Sequence, residues 1–316
     1  MHSVGTWWLW AGFFIFVLTV LFIDMFLLGG RKSHRVSTRE ALCWTLTWIG
    51  CALIFNLILW QYLLHAYGSA VAHQKSLEFF TGYLIEESLA FDNMFVILML
   101  FNYFCVPAEY QRRVLLYGVL GAVVMRFIMI FSGIWLIDQF HWLLYIFGAF
   151  LIYTGIKMVF IAEHEKDLAN NKLLTWLRRH LRVTDKLHEE QFFIYKNQLW
   201  YATPLFLVLI LVEFSDLIFA LDSIPAIFAI TRDPFIVFTS NIFAILGLRA
   251  IYFLLANLAY RFHLLKYGIA LVLIFIGGKL VFEPWIKVPV LLTLSIVATI
   301  LLTTILLSLF KRPKYP

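Results

Sequence analysis

The sequence predicts an all-α polytopic membrane protein of about nine transmembrane helices, and three observations carry that expectation. Of its 316 residues, 62% are apolar and only 14% are charged, against about 25% charged in an ordinary soluble domain. The apolar residues gather in separate runs of 18 or more, each long enough to cross a hydrocarbon layer about 30 Å thick as a helix. Lys and Arg collect in alternate loops between those runs, as they do when charge sets membrane orientation. A soluble enzyme is excluded, and the net charge of +6 points to topology rather than to nucleic acid.

Taken in order, the spans are expected at 7–30, 41–66, 77–102, 114–137, 141–161, 200–230, 235–259, 266–283 and 285–310. No basic region precedes the first run, which is therefore expected to remain as a span and not to be cleaved as a signal. Ser37-Thr38-Arg39-Glu40 has the spacing of a capping box and is expected to start the second helix. Between the fifth and sixth spans, Leu173, Leu174, Leu177 and Leu181 recur at helical spacing. Lys172, Arg178, Arg179 and Arg182 lie among them, the pattern of a basic helix on an anionic lipid surface. The loops at 31–40, 103–113, 162–199, around 261–266 and after 310 hold eighteen Lys and Arg. The opposite side holds three, Lys75, Arg232 and Lys287. The basic side is then cytoplasmic, with the N-terminus outside and the C-terminus inside.

An internal repeat divides the chain. Glu86-Glu87-Ser88-Leu89-Ala90-Phe91-Asp92-Asn93 matches Asp216-Leu217-Ile218-Phe219-Ala220-Leu221-Asp222-Ser223 at an offset of 130. Arg126 matches Arg249 at an offset of 123, and Gly155-Ile156-Lys157 matches Gly277-Gly278-Lys279 at 122. Three spans is an odd number, so the second copy is expected to cross the membrane inverted, as in secondary transporters that bind substrate where the repeats meet. The expected organisation is two N-terminal helices (1–76), a first three-helix repeat (77–161), a cytoplasmic basic loop (162–199), a second three-helix repeat (200–283), and a last helix with a cytoplasmic tail (284–316).

Seven carboxylates fall inside the spans away from their ends: Asp24, Glu86, Glu87, Asp92, Glu213, Asp216 and Asp222. At about 3 kcal/mol each they would cost on the order of 20 kcal/mol if left uncompensated. Arg126 and Arg249 are the central basic residues available to balance them, and the remaining acids require cations or protons. With Asn93 and Ser223 beside two of the acids, the ligands are all oxygen, which suits Mg²⁺, Ca²⁺ or Mn²⁺ better than Zn²⁺ or Cu⁺. Pro225 is expected to break or kink the sixth span just past its acids. On a regular helix Asp216 and Asp222 are about 240° and about 9 Å apart, so either that segment unwinds or the two acids serve different ions. Cys43, Cys51 and Cys105 form no CxxC, the nine histidines form no HExxH, and no GxSxG or nucleotide-binding glycine loop is present. An enzyme is not expected.

Val212-Glu213-Phe214-Ser215-Asp216 through Asp222-Ser223-Ile224-Pro225-Ala226, together with Phe91-Asp92-Asn93 and Asp24 with Gly29-Gly30-Arg31-Lys32, resemble the tellurium-resistance protein C (TerC) family, and within it the Alx-like branch. The resemblance spans almost the whole chain. It implies a bacterial inner-membrane exporter of manganese with no permanently bound cofactor, in which Mn²⁺ is the transported substrate and protons are a candidate counter-ion. It places Glu86 and Asp92, Asp216 and Asp222, and Asp24 on the family's acidic positions, while Glu87 departs from the pattern. The family's name refers to tellurite, an anion that a site of uncompensated carboxylates would repel. The competing expectation is a membrane factor for metal delivery or for assembly of other membrane proteins.

Overall fold

A computed structural model describes residues 3–23, 37–140, 142–160, 176, 180–184, 187–196, 198–258, 264–282, 285–286 and 288–310. Among these, nine long helices follow the apolar runs. They are α1 (Trp7–Phe22), α2 (Thr38–Tyr67), α3 (Ser69–Tyr103), α4 (Ala108–Gln139), α5 (Leu143–Phe160), α6 (Pro204–Phe228), α7 (Pro234–Leu258), α8 (Leu265–Phe282) and α9 (Val290–Phe310). Seven of them are long and apolar enough to cross a membrane. The other two fall short for visible reasons. Within the described residues α1 is 16 residues long, and α3 carries Glu78, Glu86, Glu87 and Asp92 along its length.

Local chemistry sets the helix starts. Ser37 caps α2 by accepting from the Glu40 amide at 3.2 Å, as the capping-box spacing predicts. Pro204 opens α6, where its missing amide proton leaves no bond unmade. Two expectations are corrected here. α6 runs without interruption through Pro225 to Phe228, so the predicted break is absent and the segment from Asp216 to Asp222 stays wound. Residues 200–202, expected to open the sixth span, belong to a strand: β1 (Phe193–Lys196) and β2 (Leu199–Ala202) form an antiparallel hairpin pairing Phe193 with Ala202. Aromatic residues on both arms, with Ile194 on β1, favour that strand over a helix. Leu173, Leu174 and Leu177 of the expected amphipathic helix lie outside the described residues.

α7 lies at the centre of the bundle, nearly all of it buried, while α2 and α9 bury only a small share of their residues and lie at the periphery. Exposed Leu57, Ile58, Leu302 and Leu306 are what a lipid-facing surface requires. α7 packs on α2, α3 and α4, and α6 packs on α3 and α4. α5 and α8 cross at glycines. A β-carbon on Gly155 would stand 2.7 Å from Ile274 Cγ1, and one on Gly277 would stand 2.9 Å from Ile152 Cγ1. The same offset of 122 that relates Gly155 to Gly277 relates Ile152 to Ile274, so the crossing is reciprocal.

The two ends of the bundle are distinct. Ser3 and Val4 bond to Asp233, and Thr231 bonds to Glu78, which places the N-terminal segment, the start of α3 and the α6–α7 turn together. At the other end Arg113 pairs with Glu190 and Tyr252 donates to Gln111, beside the hairpin. Two apolar clusters follow this division. The first, rich in Phe13, Phe79, Phe235, Phe238 and Phe243, fills the turn end, and the second, around Met94, Phe101, Leu115, Leu205 and Tyr252, fills the hairpin end.

Candidate functional site

Charged side chains meet where those two clusters adjoin. Arg126 lies about 27 Å along α4 from its start and about 20 Å from its end, and it is 1% exposed. Its Nη1 donates to Glu86 of α3, to Ser223 of α6 at 3.2 Å and to Asn241 of α7 at 3.1 Å. Its Nε and Nη2 reach the two oxygens of Asp216 on α6 at 3.4 and 3.3 Å. Four helices are thus joined by one guanidinium, whose planar fork suits two carboxylates at once.

The cluster carries more negative than positive charge. Glu87 flanks Glu86, and Glu213 flanks Asp216, each pair close enough for like-charge repulsion. Among the described residues, Oε2 of Glu86 and Oε2 of Glu87 are buried with no hydrogen-bond donor. Glu213, Asp216 and Asn93 line one cavity between α3, α4, α6 and α7, with Ser215 and Phe219 beside them and Leu115, Ile245 and Leu248 closing its apolar walls. Glu213 lies flat on α4 because residue 121 is glycine: a β-carbon there would overlap its carboxylate.

Other residues that the sequence singles out stand apart. Asp222 accepts from Thr154 of α5 at 3.2 Å and feels the charge of Lys157, so the two α6 acids look toward different neighbours. That is the arrangement an unbroken helix dictates. Arg249 does not join Arg126; it lines a separate hollow with Glu40, Trp44, Trp48 and Arg112. Asp24 and the side chain of Asp92 lie outside the described residues. Among the described residues, no three acidic, histidine or cysteine side chains converge as ready-made metal ligands.

Asn241 and Thr154 are polar contacts that repeat matching misses. Asn241 closes the triplet Thr239-Ser240-Asn241 inside an otherwise apolar span, and that interruption is the signal by which it is legible. Lys75, Glu78, Thr231 and Asp233 form a second polar group at the turn end, where Lys75 lies 2.8 Å from Glu78 and 3.7 Å from Asp233.

Apolar helices wrapped around a buried, acid-rich cluster define a multi-pass integral membrane protein. Residues 71–315 match the Integral membrane protein TerC family. The chain belongs to that family, in its Alx-like branch. It is 56% identical over 308 residues to the "Putative membrane-bound redox modulator Alx" of Escherichia coli (strain K12), covering 98% of this chain and 96% of that one. The protein of the same name from Photorhabdus laumondii is 51% identical over 98% of this chain and 97% of its own length. "Uncharacterized membrane protein STKORF319" of Myxococcus xanthus is 45% identical over 99% and 96%. No solved structure matches the chain.

Proposed function

We propose that this protein is an inner-membrane exporter of manganese, carrying Mn²⁺ from the cytoplasm outward in exchange for protons through the acidic cluster around Arg126. The carrying observation is that Glu86 and Asp216, equivalent positions of the two sequence repeats, share a single guanidinium while Glu87 and Glu213 add two further carboxyl groups beside them. Arg126 supplies part of the charge that a divalent cation would supply, so the two compete for the same carboxylates. The cavity of Asn93, Glu213 and Asp216 offers oxygen ligands alone at its polar wall, which favours Mn²⁺ over softer metals.

Nine spans, with the N-terminus outside and the C-terminus cytoplasmic, fit the loop charges, and the clustering of residues 3–4, 75–78 and 231–233 at one end supports that arrangement. The reciprocal α5–α8 crossing supports an inverted repeat of α3–α5 and α6–α8. The relatives' name speaks of redox modulation. Cys43 and Cys51 lie eight residues apart on α2, about 12 Å in rise, beyond disulfide reach, so the acidic cluster carries the reading in preference to the thiols.

Purified protein in liposomes, with a manganese-quenched dye and a pH-sensitive dye inside, tests this. Saturable Mn²⁺ flux with opposing proton movement is the expected result. A protein that binds Mn²⁺ yet moves none would instead favour delivery of metal to, or assembly of, other membrane proteins.

A further inference from the structure

A seam of polar side chains runs between α3 and α7 from the turn end to Arg126. At its outer limit Glu78 accepts from Lys75 at 2.8 Å and Thr231 at 2.6 Å. Asp233 accepts from Ser3 at 2.8 Å and the Val4 amide at 2.9 Å. Deeper, Gly82 of α3 faces Ser240 of α7. Ser240 adjoins Asn241, whose Oδ1 accepts from Arg126. Thr81, Thr239, Ser240 and Asn241 are all 0% exposed.

Polar residues between membrane helices commonly hold the helices together by hydrogen bonds across the interface. These do not. The hydroxyls of Thr81, Thr239 and Ser240 bond back to carbonyls of their own helices. Nδ2 of Asn241 is buried without an acceptor among the described residues. Between Glu78 and Arg126, a line of hydroxyls that leaves the facing helix unbonded is suited to a path that hydrates when the helices part.

We infer that this seam is the outward passage of the Arg126 site, and that Ser3, Val4 and Gly5 are the strap that closes it. The inference rests on the transport reading given above. The strap lies tight on α7: a β-carbon on Gly5 would stand 2.7 Å from Cβ of Phe235. Lys75 balances Glu78 and Asp233 together. A divalent cation leaving along the seam meets Glu78 last and competes with Lys75 for it, which frees Lys75 to compete with the Val4 amide for Oδ2 of Asp233.

A β-carbon on Gly82 would stand 3.5 Å from Cβ of Ser240, within the roughly 3.5–4.5 Å that a disulfide spans. Gly82→Cys with Ser240→Cys, in a background with serine at 43, 51 and 105, is expected to cross-link on copper–phenanthroline oxidation. Mn²⁺ flux should then fall at least about tenfold and return on reduction, since a locked gate blocks turnover, while Mn²⁺ binding in detergent persists. Failure to cross-link, or undiminished flux in the cross-linked protein, would overturn the inference. A second arm needs no flux. Ser240→Cys should react with an impermeant maleimide from outside at least about tenfold faster when Asp233→Asn releases the strap, because labelling follows the open population. Equal labelling with and without Asp233→Asn overturns the strap, whereas absent flux in the unsubstituted protein overturns only the transport reading.

Discussion

The carboxylate of Glu213 occupies the space that a β-carbon on residue 121 would fill, so that Gly121 of α4 and Glu213 of α6 fit as a socket and its occupant. Gly121→Ala should push the carboxylate aside, because a flexible side-chain end gives way before backbone does. Folded yield and melting temperature in detergent should change little, whereas Mn²⁺ flux should fall at least about tenfold, a typical consequence of misplacing a binding group by about 1 Å. Unchanged flux in Gly121→Ala would remove Glu213 from the site.

Charge removal should separate structural from functional acids. Arg126→Met strands Glu86 and Asp216 in the bundle centre and should cost about 3–5 kcal/mol, visible as lost folded protein. Glu213→Gln abandons no cation among the described residues, so its melting temperature should hold or rise while flux is lost. Asp222→Asn retains an oxygen for Thr154 and should likewise stay folded without transporting. Thermal unfolding measured alongside vesicle flux reads both. Destabilised Glu213→Gln protein that still transports would contradict the site assignment.

Selectivity should follow ligand chemistry. Asn93, Glu213, Ser215 and Asp216 present oxygen to the cavity, so Mn²⁺ should outcompete Zn²⁺ and Cu⁺ for flux at equal free concentration, against the affinity order that mixed nitrogen and sulfur sites follow. Competition in the liposome assay checks this, and faster Zn²⁺ transport would mean that other residues hold the ion.

Orientation is open to labelling. A single cysteine at Arg232, in the α6–α7 turn, should react with impermeant reagent from outside, and one at Lys196, in the hairpin, only from the cytoplasm. Thr231 is a poor reporter because it is buried against Glu78. Reaction of position 232 from the cytoplasm alone would invert the proposed topology.

Much of this architecture is legible from sequence because lipid leaves few options: each long apolar run becomes a helix. The acids Glu86 and Asp216 are legible for the same reason, since a charge in an apolar run must be compensated. Their neighbours are harder. Arg249 matches Arg126 by spacing, yet helix rotation turns it to Glu40 and Arg112, because sequence offset fixes depth in the membrane without fixing which face a residue joins. Asn241 and Thr154 are uncharged and raise no alarm in a hydropathy profile. The path of α6 through Pro225 escapes local rules because the surrounding helices bury Ser223 through Phe228 on every side and hold the helix in place.

Where α5 meets α8, Gly155 lies on Ile274 as Gly277 lies on Ile152, the self-complementary pattern by which identical subunits pair about a two-fold axis. A lone three-helix unit inserted in both orientations would bury that surface against its own copy. Any substitution that tightens the contact in one half would, in such a pair, act twice over. Within a single chain the two halves are free of that identity, and one carries Glu86-Glu87 where the other carries Asp216-Leu217.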